Sequence, residues 1–114
     1  MSLDPVASNP GLYSVLFENE RVRVLEYRDR PGERTTPHRH PDSVMYTLSS
    51  FDRRLVSGEA QREVSMPSGL VGWLPAQDHH GENIGATETH VIFVELKEPA
   101  ATQSTGEIGP VGAP

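Results

Sequence analysis

The chain has 114 residues, room for one domain with a modest core, and its formal charge of -6 with no Lys/Arg run excludes nucleic acid and anionic membranes as partners. It contains no cysteine, which excludes disulfides and thiolate metal ligands, and no apolar run near the roughly twenty residues a spanning helix needs. Hydrophobic residues make up 35% while glycine and proline supply ten positions each, which predicts an all-β chain of short strands and many turns. With no charged and hydrophobic leader at its start, the chain is read as soluble and cytoplasmic.

Met1-Ser2-Leu3 resembles an expression leader and is set aside. Residues 1–11 carry two prolines and small polar side chains, and are expected as an N-terminal arm along the surface. The folded domain is expected over 12–97. Its first strand is Tyr13 to Phe17, and the second, Arg21 to Arg28, alternates charged and apolar residues before slipping phase at Val24-Leu25, where a bulge is expected. The turn Arg30-Pro31-Gly32-Glu33 leads into an extended run through His38 and His40, because a residue before proline is pushed away from helical dihedrals.

Further strands are expected over Ser43 to Leu48, Phe51 to Val56, Ala60 to Val64 and Leu70 to Leu74, with turns at Ser57-Gly58-Glu59 and Met66 to Gly69. Pro75 to His80 leads toward a turn at Asn83-Ile84-Gly85, and Thr89 to Leu96, almost unbroken in apolar residues, predicts a strand buried on both sides or central in a sheet. No segment has sustained helical periodicity. Residues 98–114 have almost no large apolar side chain and are read as a flexible tail. The succession of short strands predicts a sandwich or barrel of roughly eight or more.

Within this frame His38 and His40 stand two apart in an extended segment, so both rings point to one face. A third histidine, His79 or His80, follows about forty residues later in a second glycine- and proline-rich segment. Three convergent neutral imidazoles hold Mn, Fe, Ni, Cu or Zn without adding charge and leave coordination positions open. Tyr46 and Trp73 are read as core or pocket wall, and His90 as structural or as a hydrogen-bond partner to a ligand.

Gly32 through five residues to His38 and His40, and Gly69 through five residues to Pro75 followed by histidine and Asn83, resemble the two halves of the cupin signature. The wording Pro-His-Arg-His-Pro-Asp and Pro-Ala-Gln-Asp-His-His-Gly-Glu-Asn is most similar to small single-domain bacterial cupins. The resemblance spans Tyr13 to Leu96 and implies a cupin-type double-stranded β-helix, a jelly-roll barrel, with one divalent transition metal ion in its mouth.

The sequence departs from that pattern in two places. The glutamate expected four or five residues after the second histidine is replaced by Val44 and Met45, leaving a three-histidine site or a substitute among Asp42, Gln77 and Glu82. Counting from Pro75 selects His80 as the third ligand, while counting back from Asn83 selects His79; His79 is preferred. Asp42, Glu82 or backbone carbonyls are the candidates to accept hydrogen bonds from the ligating rings.

The resemblance implies a metal-dependent oxygenase or isomerase acting on a small polar or anionic molecule, with a non-catalytic ligand-binding or sensing module as the alternative. It also implies a homodimer joined through sheet edges or swapped terminal strands.

Overall fold

A computed structural model describes residues 3–97; the tail expected over 98–114 lies outside the described residues, as do Met1 and Ser2. Alternating side chains place β1 (Tyr13–Glu18), β2 (Val22–Asp29), β9 (Thr89–Leu96), β4 (Ser43–Thr47) and β7 (Val71–Leu74) side by side in one antiparallel sheet, in that order. A second antiparallel sheet runs β3 (His38–His40), β8 (Gln77–Asn83), β5 (Phe51–Ser57), β6 (Ala60–Met66). The fold is the double-stranded β-helix, its two sheets facing each other rather than hydrogen-bonded into a closed barrel. The core between them gathers Tyr13, Leu25, Tyr27, Val91 and Phe93 from the first sheet with Phe51 from the second.

β9 is the middle strand of five, and its residues alternate between buried and half-buried, as its apolar run predicts. The phase slip at Val24-Leu25 has a different origin from the one expected. β2 pairs with β9 without interruption, and the irregularity lies in β1, where Leu16 is the extra residue opposite Leu25 and Val24. Gly32 and Gly69 both have positive φ, 88° and 83°, which side chains other than glycine rarely adopt.

The segment before β1 holds a short helix, α1 (Pro5–Ser8), capped by Asp4, whose carboxylate accepts from the Val6 and Ala7 amides. Proline in the first turn and the cap at its start form this helix where periodicity gave no signal. α1 packs against β1 and β3, and the Arg39 amide donates to the Leu3 carbonyl at 2.7 Å. This N-terminal segment therefore borders the strand that carries the histidine pair.

The outer face of the five-stranded sheet is apolar along one full row. Phe17 stands opposite Val24, Val24 opposite Val94, Val94 opposite Val44, and Val44 opposite Trp73. Phe17 is 55% and Trp73 54% exposed, and Tyr46 is exposed as well. Tyr46 is therefore not core, and Trp73 only borders the interior cavity.

Candidate metal centre

The pairing of β3 with β8 builds the site. His38 lies directly opposite His79, Arg39 opposite Asp78, and His40 opposite Gln77. Alternation sends Arg39 and Asp78 outward, where the guanidinium holds the carboxylate at 2.6 and 3.0 Å, and sends His38, His40 and His79 inward. One ligand nitrogen from each of the three rings lies within 4.8 Å of the other two. His80 pairs with Val56 and takes the opposite face from His79. The register thus brings His79, and not His80, to the histidine pair.

Each ring is oriented from behind. His38 Nδ1 donates to the Thr36 carbonyl at 2.8 Å, His40 Nδ1 to Glu95 at 3.1 Å, and His79 Nδ1 to Gln77 Oε1 at 2.7 Å. The Gln77 amide nitrogen donates to the Pro75 carbonyl, which fixes its oxygen toward His79. All three acceptors place the proton on Nδ1 and leave Nε2 as a lone pair, the tautomer a metal ligand needs. The donor set therefore fits a divalent transition metal.

Supports reach into the rest of the fold. Glu95 also accepts from Arg23, and Arg23 in turn holds Asp4 at 2.6 Å, so the cap of α1 is linked to His40 through two ion pairs and the Glu95–His40 hydrogen bond. Asn9 accepts from the Thr36 amide at 2.8 Å, steadying the carbonyl that orients His38. Neither Glu95 nor Asn9 was signalled by the sequence. Of the expected acceptors a backbone carbonyl, that of Thr36, serves His38. The two carboxylates lie elsewhere: Asp42 accepts from the Ala76 amide at 2.9 Å and Glu82 faces Arg54 at 3.7 Å; His90, read as structural or as a partner to a ligand, meets Glu26 at 2.8 Å. None of these three side chains belongs to the cluster.

Burial strips the rings of the water that an imidazolium needs. This, reinforced by the neighbouring rings, pushes His38 down to about 4 despite the Thr36 carbonyl that favours its charged form. Burial and the two facing rings push His79 down to about 3. Both are neutral near pH 7. The Tyr13 hydroxyl sits 3.2 Å from Nε2 of His38 and 3.2 Å from Nε2 of His40, and burial raises its pKa well above the usual phenol value.

Beside the cluster lies a cavity of about 380 Å³, within the range of small-molecule sites. Its walls include Phe51, Leu55, Val64, Met66, Val91 and Phe93, with Ser57, Gln61 and Gln77 among the polar residues lining it. The interior is not purely apolar. Arg53 is buried against Asp29 at 2.6 Å and Thr89 at 3.1 Å, with Tyr27 hydrogen-bonded to Asp29 and Asn83 donating to Asp29 at 3.0 Å. Gly81 makes room for this group, since a Cβ there would lie 3.1 Å from both the Arg53 guanidinium and the Leu55 side chain.

Two antiparallel sheets, glycine turns before each half-site, and three inward histidines on facing strands define a double-stranded β-helix protein with a candidate metal pocket. No family model and no curated protein sequence matches the chain. Solved structures do. A cupin domain protein from Bordetella pertussis is 29% identical with a TM-score of 0.71, covering 76% of this chain and 93% of that one. A double-stranded β-helix protein from Klebsiella pneumoniae is 20% identical with a TM-score of 0.60 over 75% of each chain. The polyketide cyclase RemF from Streptomyces resistomycificus is 18% identical with a TM-score of 0.59, covering 82% of this chain and 72% of that one. The chain belongs to the cupin superfamily. Among the described residues no helix is long and apolar enough to cross a membrane.

Proposed function

We propose that the chain binds one divalent transition metal ion through Nε2 of His38, His40 and His79 and acts on a small polar or anionic molecule held in the adjoining cavity. The observation that carries this reading is the set of three Nδ1 acceptors, Thr36, Glu95 and Gln77, which turn three lone pairs toward one another. A bound ion supplies a Lewis acid of Mn, Fe, Ni, Cu or Zn type with coordination positions left for an exogenous molecule. The protein's own part is to hold the rings, to exclude water with the apolar walls, and to close one side with the Arg53–Asp29 pair.

Oxygenation fits these residues better than isomerisation, which needs a proton acceptor. The buried carboxylates near the site are already engaged, Asp29 by Arg53, Tyr27 and Asn83, and Glu95 by His40 and Arg23. The same observation favours the second reading, a binding or sensing module with no turnover. Cobalt(II)-reconstituted protein titrated with azide tests the shared claim: a shift of the visible cobalt bands reports an open position, and an unresponsive spectrum overturns the reading. Oxygen uptake with candidate small molecules separates the enzyme from the module. The partner we propose is a second copy of this chain, seated on the apolar row from Phe17 to Trp73.

A further inference from the structure

We propose that Tyr13 is a fourth protein ligand of this metal centre, its phenol oxygen entering the coordination shell beside the three imidazoles. The proposal rests on the three-histidine reading and extends it with a residue from a different strand and a different ligand chemistry.

The geometry is that of neighbouring ligands. Two donor atoms each about 2.1 Å from one ion lie about 3.0 Å apart at a right angle and about 3.4 Å apart at the tetrahedral angle. The Tyr13 oxygen is 3.2 Å from Nε2 of His38 and 3.2 Å from Nε2 of His40, inside that interval for both. The phenol oxygen thus stands at the spacing of a donor that shares one ion with these two nitrogens, on the side from which β1 reaches them.

Hydrogen bonding alone leaves this triangle incomplete. Both Nε2 atoms are acceptors, because their Nδ1 partners are committed to Thr36 and Glu95. The phenol has one proton for two acceptors, so at any moment one buried nitrogen faces an oxygen lone pair. Burying a polar atom without a partner is costly, and a cation at the centre satisfies all of these lone pairs at once.

The placement of Tyr13 is rigid. Its amide donates to the Asn9 carbonyl at 3.0 Å, its backbone is paired opposite Tyr27, and its ring packs 4.6 Å from the Tyr27 ring and 6.2 Å from the Phe93 ring. The side chain is 5% exposed. On the strand where a carboxylate ligand was expected, the inward position is Met45, which packs against the core and lines the cavity with a thioether. β4 thus brings no oxygen to the cluster, and β1 brings the phenol. On coordination the phenol O–H bond breaks, an oxygen–metal bond forms, and the proton leaves to solvent, with no change of oxidation state.

Copper(II) loading of the full chain tests the assignment, read by absorption, resonance Raman and metal content. The chain has three tyrosines, so assignment of a tyrosinate signal is a matter of three variants. Wild-type protein is expected to bind one copper per chain and to show a tyrosinate-to-copper charge-transfer band with tyrosinate ring modes. Tyr13→Phe, which keeps the ring that fills the core, is expected to lose the band, retain copper on the histidines, and bind it about 10–100-fold more weakly. Tyr27→Phe and Tyr46→Phe are expected to keep the band, which identifies Tyr13 by elimination even if its own variant folds poorly. One copper per chain with no tyrosinate band in the wild type, or a band that survives in folded Tyr13→Phe, overturns the role of Tyr13 and leaves the three histidines standing. Failure of the wild type to bind stoichiometric copper overturns the three-histidine reading itself.

Discussion

Lowering the pH should destabilise the metal-free protein, and the histidine pocket sets the window. An unfolded histidine titrates near 6.5, whereas His38 titrates at about 4 and His79 at about 3 in the folded chain. Between those limits the unfolded chain binds more protons than the folded one, so stability rises with pH there. It is complete above about pH 6.5 and is lost as pH falls toward 4. At about 1.4 kcal/mol per unit, His38 alone removes about 2 kcal/mol between pH 6.5 and 5, and roughly 3 kcal/mol by pH 4. His79 is partly exposed and adds less than its shift implies, since solvent screens part of the effect. The loss is a large share of the roughly 5–15 kcal/mol typical of a domain. Urea denaturation of metal-stripped protein at half-unit steps from pH 8 to 5 measures it, above the range where most carboxylates titrate. His38→Leu should reduce the slope by half or more. A stability that is flat across pH 6.5 to 5, or that rises as pH falls, refutes the reasoning.

Three other outcomes follow from the contacts. Glu95→Gln removes the carboxylate that orients His40 and should weaken metal binding about 10–100-fold in a chelator competition, with the fold retained; unchanged affinity removes Glu95 from the site's support. Asp29→Ala strands the buried Arg53 and should cost about 3–5 kcal/mol in denaturant melts, most of it recovered by Asp29→Ala combined with Arg53→Met; additive losses contradict the pairing. Light scattering should find wild-type protein at twice the 12.5 kDa chain mass and Trp73→Glu at the chain mass; a wild-type monomer removes the proposed second copy.

What could be read in the sequence and what could not divides by the range of the interaction. Strand alternation and glycine turns are local, and they located β3, β4, β7 and β9 and the inward facing of His38 and His40. Which of His79 and His80 faces the histidine pair is a matter of register: spacing counts from Pro75 and from Asn83 differ by one residue, and the pairing with β3 places His79 on that face. β8 itself runs on through Gly81, Glu82 and Asn83, polar residues with little strand propensity of their own, because β5 pairs beside them. Tyr13, Glu95 and Arg53 gave no signal at all. A tyrosine opening an apolar strand reads as core, a glutamate ending one reads as its wet edge, and an arginine reads as surface. Only the meeting of β1, β9 and β5 around the histidines gives these three their roles.

Metal content is the direct test of the centre. Protein purified without a metal-affinity column and reconstituted is expected to carry one transition metal ion per chain, to lose it in His38→Ala and in His79→Ala, and to keep it in His80→Ala. Retention in His79→Ala with loss in His80→Ala contradicts the register-based site, and substoichiometric metal in the reconstituted wild type contradicts the centre altogether.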